Sequence, residues 1–141
     1  MIEDITIMRH RDATGTVLTF DFLSDRPTDA WIANAQMFTT LLLTEQGSVP
    51  SDPKCGTTFM SDLRSGRIYS DALLKAGFEF AAQDIFKYLN TKGYTYRDKP
   101  EDKLMEVVLL QWGFTRGGAM LVVEMVNGLN ERINYSLPIR L

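Results

Sequence analysis

His10 and Cys55 are the only histidine and the only cysteine in this chain of 141 residues. A metal centre needs several His, Cys, Asp or Glu ligands at ligand spacing. These two residues fall in different segments, and neither is part of a ligand-spaced pair. A serine nucleophile would have to use His10 as its base, without the elbow that presents such a nucleophile. Cys55 lacks the flanking pattern of a catalytic cysteine and reads as a small, partly buried loop residue. Gly56-Thr57-Thr58 and the run Gly113–Gly118 contain glycines. Neither has the Gly-Lys-Ser/Thr ending, at a strand-to-helix junction, that cradles phosphate.

Glycoside hydrolysis needs two carboxylates at a cleft, one with a raised pKa. The candidates are Glu79, Asp84, Glu106 and Glu124. Glu79 and Asp84 are five apart on an expected helix and do not share a face. Glu106 and Glu124 belong to neighbouring expected strands and read as a solvated sheet face. Trp31, Trp112, Phe78, Phe80 and Phe86 sit at core spacing rather than along a sugar groove. The reading is therefore no catalytic residue, no metal and no cofactor.

The elements that carry these residues follow from periodicity. Ile5 and Ile7 alternate with Thr6, Asp12–Gly15 supplies turn chemistry, and Leu18, Phe20 and Phe22 recur at period two, which predicts a hairpin. Trp31, Ala35, Phe38 and Leu42 form one stripe of a helix over about residues 29–45, stopped at Gly47. Two prolines and two glycines make residues 47–57 a loop. A short helix around Thr58–Arg64 follows. Ser70 then caps a long helix whose broad apolar face holds Leu74, Phe78, Ala81, Ala82, Ile85, Phe86 and Leu89. Residues 91–102 form a polar connection.

Three strands close the chain. In the first, Val108, Leu110, Trp112 and Phe114 share one phase and Met105, Val107 and Leu109 the other, as in a strand buried on both faces. Arg116-Gly117-Gly118 turns into a second strand, and Asn127-Gly128 predicts a tight hairpin into a third. Pro138 is expected to end the ladder. The fold class is α+β in one domain: an N-terminal β-hairpin (1–24), three helices (28–90) and a C-terminal three-stranded antiparallel meander (103–138).

Composition bounds the partners. A hydrophobic fraction of 45% supports a core without disulfides. A net charge of -3 gives no electrostatic footprint for nucleic acid or an anionic membrane. No run approaches the roughly 20 apolar residues of a membrane span. The acidic start, Met1-Ile2-Glu3-Asp4, is unlike a signal peptide, so the reading is a soluble protein that is not exported by its own sequence.

Two stretches carry a resemblance. One is Leu43–Ser48 followed by Asp52-Pro53-Lys54-Cys55-Gly56-Thr57-Thr58-Phe59; the other is Leu121–Glu124 followed by Ile133–Ile139. Their order resembles the baseplate wedge, or sheath-initiator, family of contractile phage tails. In that family a helix leads into a Gly/Pro loop, a long helix follows, and strands end in a Leu-Pro-Ile-like pattern. Cys55 stands where the family usually carries an aromatic, and Lys99-Pro100-Glu101-Asp102 replaces its Glu-Pro-Arg.

The resemblance implies a structural virion protein of the tail baseplate, made in the host cytoplasm and present in six copies. Its partners would be the tail sheath protein and other wedge or hub proteins, and it would anchor or nucleate the sheath by strand pairing. Some family members carry a lysozyme-like label. The alternatives are another tail or hub assembly protein, and a peptidoglycan hydrolase.

Two surfaces are expected to make the contacts. Arg132, Asn134 and Ser136 would keep the last strand polar on one face, while Ile133, Tyr135 and Leu137 set register on the other. Pro53, Lys54, Cys55, Gly56 and Thr57 form the second, loop surface.

Overall fold

The computed structural model describes residues 6–11, 17–22, 29–92 and 99–141, with backbone alone for 6–11, 17–22 and 29. Three helices and a C-terminal antiparallel meander make the fold α+β. The helices are α1 (Asp29–Leu43), α2 (Phe59–Arg64) and α3 (Asp71–Thr91). The meander is β3 (Leu104–Thr115), β4 (Gly118–Asn127) and β5 (Arg132–Arg140). At the N-terminal end the backbone of β1 (Thr6–Arg11) lies in register with β2 (Val17–Phe22), and Asp21 and Phe22 lie opposite Ser136 and Tyr135. The expected turn at Asp12–Gly15 lies outside the described residues. The sheet order is β1-β2-β5-β4-β3, so β3 is an outer strand.

The helices form where their caps and stripes put them. Ser70 has extended backbone, and its hydroxyl accepts the Leu73 N–H at 3.2 Å, satisfying one of the free donors at the start of α3. Three phenylalanines, one from each helix, meet at the centre. Phe78 lies 5.9 Å from Phe38 and, edge-on, 6.3 Å from Phe59, the tilted geometries that aromatic quadrupoles favour. Among the described residues no helix is long and apolar enough to cross a membrane.

The helices cover one face of the sheet. Leu121, Val123 and Met125 of β4 and Ile133, Tyr135, Leu137 and Ile139 of β5 are buried with them in one cluster. The Tyr135 hydroxyl meets the Thr39 hydroxyl at 2.9 Å, which places α1 over β5. The Lys75 ammonium lies 4.9 Å from the Trp112 ring centroid, which places α3 over β3. Asn34 is a polar residue on the apolar side of α1, and its amide donates to the Asp102 carbonyl at 3.2 Å.

The meander departs from expectation at three places. β3 shifts register between Leu109 and Gln111, so Trp112 and Phe114 join the phase of Val107 and Leu109 instead of Val108 and Leu110. As an outer strand, β3 is also largely exposed rather than buried on both faces.

The β4–β5 connection is a loop, Gly128–Glu131, not a two-residue turn. The Asn127 carboxamide oxygen accepts the N–H groups of Leu129 and Glu131, at 3.0 and 2.9 Å, and the left-handed residue is Asn130 at φ 61°. Gly128 serves a close approach instead: its N–H donates to the Pro100 carbonyl at 2.9 Å, where a Cβ would stand 2.6 Å from that oxygen.

Pro138 does not stop the strand. It pairs opposite Met120, and β5 continues to Arg140. Its missing donor falls on the side away from β4, beyond the last residue opposite β2, where no ladder bond is lost.

Candidate functional site

The loop between α1 and α2 folds back on itself. Glu45 and Thr57 form an isolated parallel bridge; Gln46 N–H donates to the Thr57 carbonyl at 3.0 Å and Thr57 N–H to the Thr44 carbonyl at 2.9 Å. The Thr57 hydroxyl donates to the Leu42 carbonyl at 3.0 Å and accepts the Phe59 N–H at 3.2 Å. Gly56 is obligatory here. It has φ 98°, and a Cβ would lie 2.3 Å from the Thr44 carbonyl oxygen. Inner turns complete the loop, with Asp52 N–H on the Val49 carbonyl and Cys55 N–H on the Asp52 carbonyl at 3.0 and 3.1 Å. The segment is a compact closed loop of the kind that holds a fixed shape at a surface.

Its tip is tied to the end of α3. The Tyr88 hydroxyl donates to Asp52 Oδ2 at 2.6 Å, and Lys92 Nζ lies 3.2 Å from the same oxygen. The tyrosine hydrogen bond, with the lysine's charge behind it, holds the Asp52 carboxyl below its ordinary value. The same bond pushes the Tyr88 hydroxyl up, with burial and the neighbouring Cys55 adding to it.

Between loop and helix lies a groove of about 340 Å³, lined by Asp52, Lys54, Asp84, Lys87, Tyr88 and Lys92 among others. A second groove, of about 460 Å³, runs between α2 and α3 with Ile68, Leu73 and Phe80 on its walls. The Arg67–Asp62 ion pair, at 3.3 Å, sits at its edge.

Of the loop residues singled out in the sequence, Pro53 and Lys54 are exposed, Cys55 is half-buried against the core, and Gly56 and Thr57 are buried. Gly56 and Thr57 shape the loop, and only its outer residues can meet another molecule. On β5, Ile133, Tyr135 and Leu137 face the helices and are buried. Arg132, Asn134 and Ser136 occupy the opposite face, with Arg132 donating to Glu124 Oε1 at 2.8 Å and the Ser136 hydroxyl meeting Met120 Sδ at 3.2 Å. The two surfaces are not brought together: the loop belongs to the helical layer, and the polar row of β5 lies on the face of the sheet turned away from the helices.

The carboxylates weighed for acid–base work are dispersed. Glu79 lies 3.8 Å from Lys75 on α3, Glu124 is held by Arg132, and Asp84 faces the groove. Among the described residues no three of His, Cys, Asp and Glu stand together as metal ligands. His10 falls in β1 opposite Leu18, and its side chain is outside the described residues.

No family model, no curated protein and no solved structure matches this chain. Its own residues therefore carry the functional reading.

The Asp52–Tyr88–Lys92 tie was not legible as a tie in the sequence. Asp52 reads there as part of the loop over residues 47–57 and Lys92 as part of the polar connection over residues 91–102, and Tyr88 is not singled out. The spacing of four between Tyr88 and Lys92, one helical turn, was the available signal, and it acquires meaning only once Asp52 is known to face it.

Proposed function

We propose that this chain is a non-enzymatic structural component of a contractile phage tail baseplate, anchoring or nucleating the sheath by packing and strand pairing. The carrying observation is the shaped loop. The Gly/Pro segment on which the family resemblance rests is closed at its base by Thr57 and fastened at its tip by Asp52, presenting Pro53 and Lys54 on a fixed frame. A preformed surface loses little conformational freedom on docking, which suits an assembly protein.

The partners in this reading are the tail sheath protein and neighbouring wedge or hub proteins, in six copies per tail. The N-terminal hairpin beside β5 belongs to the reading as well. With β2 opposite Tyr135 and Ser136, a partner strand would reach β5 past its Leu137 end or by displacing β2. Its side-chain contacts would be to Arg132, Asn134 and Ser136.

Cross-linking of purified tail particles with peptide mapping tests this reading. It expects links from residues 52–54 and 132–140 to a sheath or baseplate subunit. Absence of the chain from particles overturns it. Release of muropeptides from peptidoglycan by the purified chain would overturn the non-enzymatic part.

A further inference from the structure

We propose that the groove between the α1–α2 loop and α3 docks a polypeptide segment of mixed charge, with a basic side chain beside Asp84 and carboxylates beside Lys54 and Lys87. The proposal goes beyond the baseplate reading and does not depend on it. All three residues line one groove of about 340 Å³. None of them has an ion-pair partner among the described residues. Asp84 and Lys87 are three apart on α3, a spacing at which a pair can form, and they do not pair. Lys54 adds its charge from the loop side.

The walls of the groove are already fixed. Asp52 and Lys92 are engaged with each other at 3.2 Å, and the Tyr88 hydroxyl holds Asp52 at 2.6 Å. A segment that docks here meets a preformed frame, and the chain loses little freedom on binding it. The loop tip meets α3 at Tyr88 and Lys92, one and two turns beyond Asp84. The groove therefore has an acidic end at Asp84 and a basic end under the loop.

This charge order selects the occupant. A nucleic-acid backbone is uniformly negative, and it would set a phosphate against Asp84 on a chain whose net charge is -3. A polypeptide can place either sign at each step. An extended segment lying along α3 turns alternate side chains toward it, at steps of about 7 Å. A basic residue at the Asp84 end, followed by acidic residues at the lysine end, then meets an opposite charge at every step.

Fluorescence anisotropy of labelled peptides with the full chain at low salt tests the proposal. The probes are Gly-Lys-Gly-Glu-Gly-Glu and its all-acidic counterpart Gly-Glu-Gly-Glu-Gly-Glu. The wild type is expected to bind the mixed peptide with a Kd below about 1 mM, and more tightly than the acidic one. Lys54→Ala with Lys87→Ala should weaken binding of the mixed peptide about tenfold, through loss of two exposed ion pairs. Asp84→Asn should reverse the preference, because the carboxylate that repels the acidic peptide is gone. Lys54 and Lys87 are exposed and Asp84 is half-buried, so circular dichroism should show each variant folded. A wild type that binds neither peptide, a wild type that prefers the acidic one, a mixed-peptide affinity indifferent to the two lysines, or a preference indifferent to Asp84→Asn would each overturn the proposal.

Discussion

The Tyr88 hydroxyl reaches across from α3 to donate to Asp52 at 2.6 Å, joining residues 36 apart in sequence. This bond fastens the tip of the loop, while its base is closed separately by Thr57. Tyr88→Phe should therefore free the tip and leave the base closed. Hydrogen exchange should show faster exchange at the Cys55 amide, with the amides of Gln46 and Thr57 unchanged.

Acid should open the same tie. The Asp52 carboxyl is depressed in the folded chain, so its contribution is complete above the ordinary carboxylate pKa of about 3.9 and is lost as pH falls through the depressed value. Tyr88 is raised, so its contribution is complete below about pH 10 and is lost as pH rises through its folded value. Exchange at the Cys55 amide, corrected for intrinsic rates, should be slowest between those limits and should lose this profile in Tyr88→Phe.

Inside the core, Tyr135→Phe should cost about 1–2 kcal/mol by removing the hydroxyl that meets Thr39. Adding Thr39→Val removes the other polar partner, so the double variant should lose less than the sum of the singles. Urea unfolding of the four chains measures the difference.

Phe78→Ala should cost about 3–5 kcal/mol, because the ring joins phenylalanines from the two other helices. That is a large part of the stability of an ordinary domain. Thermal unfolding should show a strongly lowered Tm or an unfolded chain.

Arg132→Ala separates surface from fold. The Arg132 side chain is half exposed, so loss of its bond to Glu124 should cost less than about 1 kcal/mol. On the baseplate reading, Arg132→Ala combined with Asn134→Ala should reduce tail assembly in a complementation assay while the melting curve stays near wild type.

The helices were legible because their signals are local. Ser70 marks a start, and the stripe from Leu74 to Leu89 marks a face. The meander was legible as strands but not in its phase: a single extra residue at Leu110 moves Trp112 and Phe114 across the sheet, and no period-two count reveals it. Asn127-Gly128 carried a genuine turn signal that tertiary contacts put to another use, since Pro100 occupies the space beside Gly128. Pro138 depended on which side of β5 lacks a neighbour, a property of sheet order rather than of the residue. Of the loop site, the sequence showed the segment and its glycine. It did not show that Gly56 and Thr57 turn inward or that Tyr88 holds the tip, because those facts depend on pairs far apart in the chain.

The bridge between Glu45 and Thr57 brings the two ends of the loop side by side, about 5 Å apart. A chain that leaves and returns at one point can be lengthened between those points without spreading α1 from α2. Residues 48–51 are thus a natural port for a grafted epitope or a small inserted domain, which would project from the helical layer while the scaffold beneath kept its shape.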